Sequence, residues 1–225
     1  MVECTIKCVV AGDANVGKTS LLDRLINDKE YKYASSTIGV ECRVVTFPGI
    51  KEMRVRFWDT AGCERFNAIT KVYYRGVDCA LVCYNEQNPE SLEHIEKWVN
   101  NIRAEHEGIS KKVRKRLNDN VCCGERYVEI PSSDDEEIFD IPILLIATKC
   151  DTALHTKTFE TAEKIAEKLH LQGPFFTSAL SMNKNQLQKI LLPFFRTVHK
   201  QVLPYKKKTK SIEVIKDRAK KSCCF

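Results

Sequence analysis

The stretch GDANVGKT, Gly12 to Thr19, decides the fold. It follows an apolar run, TIKCVVAG, that has the composition of a strand, and it precedes SLLDRLI, whose apolar residues have helical spacing. A strand, a glycine-rich turn and a helix in this order match the phosphate-binding pattern G-x-x-x-x-G-K-[ST]. Backbone N–H groups of such a turn surround phosphates, Lys18 can reach the β and γ oxygens, and the Thr19 hydroxyl can bind Mg²⁺. The sequence therefore predicts a nucleotide phosphate site.

Five further strand-like runs follow, with helical patterns between most of them: CRVVTFPG, MRVRFWDT, CALVCYN, IPILLIATK and PFFTSA. This alternation predicts an α/β fold with a doubly wound, six-stranded sheet and helices on both faces. The second and third runs are joined by FPGIKE, whose Pro48-Gly49 suits a tight turn, so we expect one antiparallel edge strand on an otherwise parallel sheet. Pro193 lies inside the last helical pattern and is expected to kink or interrupt that helix.

The base of the nucleotide is indicated by two segments that follow strands. TKCD, Thr148 to Asp151, closes an apolar strand at the sheet edge where open α/β sheets bind ligands. An aspartate there can accept hydrogen bonds from the N1 and exocyclic amine of guanine, which adenine does not offer in that arrangement, while Lys149 can lie over the base. TSA, Thr177 to Ala179, follows the next strand and can supply a backbone N–H to the guanine carbonyl. The pattern favours guanine.

DTAG, Asp59 to Gly62, completes the set after a further strand. Its carboxylate can hold Mg²⁺ through water, and the Gly62 N–H can meet a γ-phosphate. Thr37, in SSTIGVE, can complete the Mg²⁺ shell from a loop that moves when the γ-phosphate is lost. A P-loop kinase is a weaker interpretation, because TKCD and DTAG have no reason to occur together there.

The segments TIGVE, FWDTAG, ERFNAIT and YYRG, in this order and with a terminal cysteine pair, resemble those of Rab small GTPases of the Ras superfamily. The resemblance covers roughly residues 5–202 apart from one insertion. It implies a G-domain fold, GTP/GDP and Mg²⁺ as cofactors, and a switch in membrane trafficking. It implies Mg²⁺ ligands at Thr19, Thr37 and Asp59, and catalytic roles for Lys18, Gly62 and Cys63. The nucleotide contacts that it implies are Asp13, Ala14, Asn15, Val16, Gly17, Lys18, Thr19, Ser20, Thr37, Asp59, Gly62, Thr148, Lys149, Asp151, Ser178 and Ala179.

Two departures from the Rab pattern affect function. The residue after DTAG is normally glutamine, which orients the attacking water, whereas the Cys63 thiol is short and a weak hydrogen-bond partner. We therefore expect slow hydrolysis, and a redox role for the thiol is the second interpretation. Thr148 replaces the usual asparagine with a shorter side chain, so nucleotide affinity should differ. This combination is most similar to the twenty-fourth Rab subfamily, associated with autophagy-related trafficking; the alternative is an adaptor that keeps GTP unhydrolysed.

The remaining expectations concern domain limits and the C-terminus. Residues 1–203 are predicted to form the G domain, with an inserted, disordered loop at about 107–139, and 204–225 a flexible basic tail. The chain carries a net charge of +6, and nine basic against two acidic residues lie between Lys200 and Phe225. Cys223 and Cys224 lack the C-a-a-X spacing but resemble Rab tails that are geranylgeranylated.

The composition and the tail together predict where the protein works. No secretory signal or transmembrane stretch is evident, and several of the eleven cysteines lie in apolar strand-like runs that suit reduced thiols. We expect attachment to the cytoplasmic face of intracellular membranes through prenyl groups and the basic tail, with a cytosolic pool and without nucleic acid. The Rab resemblance implies an exchange factor, an activating protein, a GDP-dissociation inhibitor and effectors as partners.

Overall fold

The fold is a six-stranded sheet with helices on both faces. The computed structural model describes residues 4–28, 37–47, 53–62, 67–106, 140–151 and 156–201. The strands are β1 (Cys4–Ala11), β2 (Val40–Thr46), β3 (Met53–Thr60), β4 (Cys79–Asn85), β5 (Ile143–Thr148) and β6 (Gln172–Phe176), in the spatial order β2-β3-β1-β4-β5-β6. The helices in this part of the chain are α1 (Lys18–Asn27), α2 (Asn67–Tyr74), α3 (Pro89–Glu93), α4 (95–106), α5 (Thr156–Lys168) and α6 (184–201).

Strand direction confirms the sequence prediction. β2 pairs antiparallel with β3, and all other neighbouring strands are parallel. Every residue of β5 is buried, as expected for a central parallel strand that is covered on both faces. β3 instead alternates, with Met53, Val55 and Phe57 buried and Arg54 and Arg56 exposed. The carboxyl ends of the five parallel strands therefore lie along one edge of the sheet.

Each face of the sheet has its own apolar core. On one face, leucines of α1 pack with Phe194 and Phe195 of α6, and Phe195 meets Phe57 edge-on with ring centroids 5.6 Å apart. On the other face, Trp98, Val99 and Ile102 of α4 pack with the alanines of α5. Burying one such side chain stabilises the fold by about 1.5–3 kcal/mol, so both layers contribute substantially.

The last helix differs from the sequence prediction. The sequence predicted a kink or an interruption at Pro193; α6 continues through this residue to residue 201, so the interruption is wrong. A proline inside a helix lacks one N–H and costs about 3 kcal/mol. The next residues on the same helix, Phe194, Phe195 and Val198, are almost completely buried. Full burial of one apolar side chain stabilises the fold by about 1.5–3 kcal/mol, so the burial of these three residues offsets the cost of the proline.

The predicted insertion at 107–139 and the tail at 204–225 lie outside the described residues. The residues that flank the insertion are in contact: Arg103 Nε donates to Asp140 Oδ1 at 3.0 Å, and its Nη2 donates to the Leu169 carbonyl at 2.8 Å. The chain therefore leaves and re-enters the fold at the edge where β5 begins. In the described part of the chain, no helix has the length and apolar character needed to cross a bilayer.

Candidate nucleotide-binding site

The phosphate-binding loop leaves β1 at the carboxyl edge of the sheet. Gly12 has φ 138°, and a Cβ there would lie 2.2 Å from the Cys83 carbonyl oxygen, so only glycine fits. Gly17 caps α1 with φ 101° and no side-chain hydrogen bond, and the first turn of α1 contains no acidic residue. The first N–H groups of α1 therefore have no side-chain cap and carry the positive end of the helix dipole, which suits a phosphate.

Lys18 is held inside this loop. Its side chain is 5% exposed. Its Nζ donates to the carbonyls of Gly12 at 2.8 Å and Asp13 at 2.7 Å. Burial lowers the pKa of the Lys18 ammonium, and the nearby charge of Asp59 partly opposes that shift. These hydrogen bonds of the ammonium go to neutral carbonyls, and a phosphate would add a directly bound counter-charge.

Three oxygen ligands lie together beside Lys18. Thr19 Oγ1 donates to Asp59 Oδ2 at 2.7 Å and lies 2.6 Å from Thr37 Oγ1. Asp59 is fully buried, and its Oδ1 has no hydrogen-bond partner among the described residues. Burial raises the pKa of the Asp59 carboxyl, against the hydrogen bond from Thr19 and the charge of Lys18. Two hydroxyls and an under-satisfied carboxylate are the hard oxygen donors that Mg²⁺ prefers, so the residues present fit this ion.

Thr148 joins the base side of the site to the phosphate side. Its hydroxyl, on a residue that is 3% exposed, lies 2.7 Å from the Tyr84 carbonyl and also within hydrogen-bond distance of the Val16 carbonyl. A hydroxyl has one hydrogen, so it serves both acceptors only by sharing it. The stem of Lys149 lies beside Gly17, within 3.8 Å of where a Cβ would be. The base and phosphate segments thus meet at Gly17.

Asp151 is held by the segment after β6. Ser178 is buried and donates to Asp151 Oδ1 at 2.8 Å, while its Oγ accepts from the backbone N–H groups of Leu180 and Ser181. Ala179 follows Ser178 directly and is partly buried. The bond from Ser178 therefore orients the Asp151 carboxylate through its Oδ1 atom. Asp151 is exposed to solvent at the sheet edge, where it can bind a base.

The glycine of DTAG packs directly on the phosphate-binding loop. A Cβ at Gly62 would lie 2.2 Å from the carbonyl carbon of Asp13 and 2.4 Å from the Ala14 nitrogen. Ala14 and Asn15 are exposed, and Asn15 has φ 60°. Of the other predicted contacts, Val16 is buried and Ser20 is half-buried on α1. Cys63 lies outside the described residues.

The structure adds two residues that the sequence did not predict at this site. Asp13 Oδ1 accepts a 2.7 Å hydrogen bond from Trp98 Nε1, and Asp13 Oδ2 lies 2.7 Å from His94 Nδ1. Trp98 is 4% exposed and packs in the apolar core beside α5. Nothing in the sequence links an indole to a carboxylate 85 positions earlier.

The fold and the site define a P-loop nucleotide-binding protein, with phosphate, metal and base segments on one sheet edge. The family model described as Ras family matches residues 7–137. The chain is 31% identical over 208 residues to Ras-related protein RABA4b of Arabidopsis thaliana, which covers 90% of this chain and 78% of that protein. It is 32% identical over 168 residues to Ras-related protein Rab-8B of Pongo abelii, covering 73% of this chain and 80% of that protein.

A third match is shorter. The Ypt/Rab-type GTPase YPT7 of Saccharomyces cerevisiae is 41% identical over 95 residues, which is 41% of this chain and 46% of that protein, so the match spans less than half its length. Together with the longer matches, this shows that the chain belongs to the Ras family, as a Rab-type small GTPase. Members of this family bind GTP and GDP with Mg²⁺.

Proposed function

We propose that the protein is a switch in vesicle and membrane trafficking that binds GTP or GDP with Mg²⁺ and hydrolyses GTP slowly. The observation that supports it best is the meeting of Thr19, Thr37 and the under-satisfied Asp59 beside the buried Lys18. These groups come from three separate segments, and Asp59 Oδ1 has no hydrogen-bond partner in the part of the chain that the structure describes. A triphosphate with its metal ion supplies the charges that all of them need.

Each segment has a part in this proposal. Lys18 and the first N–H groups of α1 hold the phosphate oxygens, and Thr19, Thr37 and Asp59 hold the metal. When bound, Mg²⁺ contributes positive charge that offsets the charge of the β- and γ-phosphates. Thr37 and Gly62 respond to the γ-phosphate, so its loss releases their two segments and changes the surface that partners recognise.

The rate of hydrolysis depends on the residue that follows Gly62. Cys63 stands where Rab proteins normally carry glutamine, and a thiol orients water poorly. The proposal therefore includes a low intrinsic rate. The second candidate function is an adaptor that stays bound to GTP, in autophagy-related trafficking as in the twenty-fourth Rab subfamily. The same cysteine favours it, because complete loss of water positioning would leave binding intact.

Membrane attachment belongs to the proposal as well. Cys223 and Cys224 are the proposed prenylation sites, and the basic tail adds about 1 kcal/mol per charge near an anionic leaflet. The protein would then work on the cytoplasmic face of intracellular membranes. Its partners would be an exchange factor, an activating protein, a GDP-dissociation inhibitor and effectors of Rab type.

Titration of the purified protein with labelled GDP, GTP and ATP tests the proposal. Preference for guanine nucleotides is expected, and it should be lost in Asp151→Asn, because an amide offers the base a donor in place of one acceptor. Asp140→Asn, a matched change at the opposite sheet edge, should bind as the wild type does. Tighter binding of ATP would overturn the proposal. Single-turnover phosphate release then separates the slow GTPase from the non-hydrolysing adaptor.

A further inference from the structure

The phosphate-binding loop has a second set of contacts, which the P-loop pattern does not include. The carboxylate of Asp13 points to the helices after β4, where Trp98 and His94 each bring a ring nitrogen to within 2.7 Å of it. We propose that Asp13, Trp98 and His94 form a brace that positions the loop for the β-phosphate. The three are positioning residues, and this inference rests on the proposed nucleotide binding. We call this set the Asp13 brace.

The two rings that reach Asp13 lie one helical turn apart, at the start of α4. α3 ends at Glu93, and α4 begins at residue 95. His94 lies between these two helices, and the backbone N–H of Trp98 donates to the His94 carbonyl at 3.3 Å. Residues four apart share one face of a helical turn, so both rings face the loop. Trp98 is almost fully buried in the core of α4 and α5, which makes it a rigid anchor.

Hydrogen-bond chemistry fixes the direction of both contacts. An indole nitrogen only donates, and an ionised carboxylate only accepts. His94 Nδ1 must therefore carry the hydrogen that it shares with Asp13 Oδ2, in the neutral or the charged form of the ring. The brace gives each carboxylate oxygen one donor and holds the negative charge of Asp13 turned toward α4. Without it, the carboxylate would be free to approach the phosphates, whose charge has the same sign.

The brace fixes the backbone of Asp13, which contacts both Lys18 and Gly62. The Asp13 carbonyl accepts from Lys18 Nζ at 2.7 Å. The Asp13 backbone also lies against Gly62, which leaves no room for a Cβ at that residue. A shift of Asp13 would therefore move the lysine that holds the phosphates and the contact with DTAG together. The base contacts at Asp151 and Ser178 follow β5 and β6 and bind each other, so they would keep their positions.

Because the phosphate contacts would shift and the base contacts would not, a test can distinguish loss of the brace from a general loss of structure. Trp98→Phe removes the N–H and keeps an aromatic ring in the core. We expect the dissociation constant for GDP to rise about tenfold, as for loss of a hydrogen bond to a charged group. That for GMP, which has no β-phosphate, should change less than twofold. The constants are measured by competition against fluorescent GDP.

The chain offers a matched control in Trp58→Phe, because Trp58 is its other tryptophan and its Nε1 has no hydrogen-bond partner among the described residues. This variant should bind GDP and GMP as the wild type does. The brace is refuted if Trp98→Phe binds GDP normally. It is equally refuted if GDP and GMP weaken by the same factor, since that result marks a general structural effect.

A spectroscopic measurement tests the brace independently of which nucleotide the protein prefers. The two indole N–H signals in an ¹⁵N-labelled sample are assigned by their loss in the two Trp→Phe variants. Asp13→Ala should move the Trp98 signal upfield and leave the Trp58 signal in place, and Asp13→Asn, which keeps an acceptor oxygen, should move it less. An unchanged Trp98 signal in Asp13→Ala would overturn the brace. A wild type that prefers ATP would instead overturn the proposed function, and the indole signals would still decide the brace.

Discussion

Changing the number of hydrogen-bond donors on the side chain of residue 148 should change the rate at which the nucleotide dissociates. The Thr148 hydroxyl faces two buried carbonyls, of Tyr84 and Val16, and has one hydrogen for them. Thr148→Asn supplies two N–H groups, one for each carbonyl. A net intramolecular hydrogen bond contributes about 1 kcal/mol, which corresponds to about a fivefold change in an equilibrium or rate constant. Because the Val16 carbonyl belongs to the phosphate-binding loop, GDP should dissociate about fivefold more slowly.

Thr148→Val tests the same reasoning in the opposite direction. It keeps the shape of the side chain and leaves both carbonyls without a hydroxyl donor, so GDP should dissociate about five- to tenfold faster. The assay follows fluorescent GDP after addition of excess unlabelled GDP. Thr197→Val is the control, because the Thr197 hydroxyl also donates to a carbonyl, that of Pro193 at 3.2 Å, but on the exposed face of α6. The reasoning fails if Thr148→Asn does not slow dissociation and Thr148→Val does not accelerate it.

Three other changes test separate parts of the proposal. Cys63→Gln should raise single-turnover GTP hydrolysis with the nucleotide already bound; an unchanged rate with intact affinity would place the defect in the phosphate-binding loop instead. Gly62→Ala should lower GTP affinity much more than GDP affinity, because the added Cβ would lie 2.2 Å from loop backbone unless the DTAG segment moves away; equal binding of both would contradict the packing. Replacing Cys223 and Cys224 with serine should move the protein to the soluble fraction of cells, and persistent membrane binding would exclude the prenyl anchor.

The sequence predicted the fold correctly, since short apolar runs and the Pro48-Gly49 turn are local signals for strands and a hairpin. It also placed the segments that contain Lys18, Asp59 and Asp151 at the carboxyl ends of strands, where the structure has them. It failed where a distant contact decides the outcome. The helix continues through Pro193 because the residues after it are buried, which only the assembled core shows. The contact of Trp98 with Asp13 depends on how α4 lies beside β1, and no local pattern encodes that.

The contact of Arg103 with Asp140 has a consequence for how this chain could acquire extra length. It closes the gap between α4 and β5 at the sheet edge opposite the nucleotide segments, so whatever joins residues 106 and 140 begins and ends far from the phosphates. The entropy of closing a flexible segment rises only with the logarithm of its length, about 0.6 kcal/mol for each doubling. Additional sequence at this point is therefore nearly neutral for folding and for ligand retention, and new recognition sequences can accumulate there while the switch keeps working.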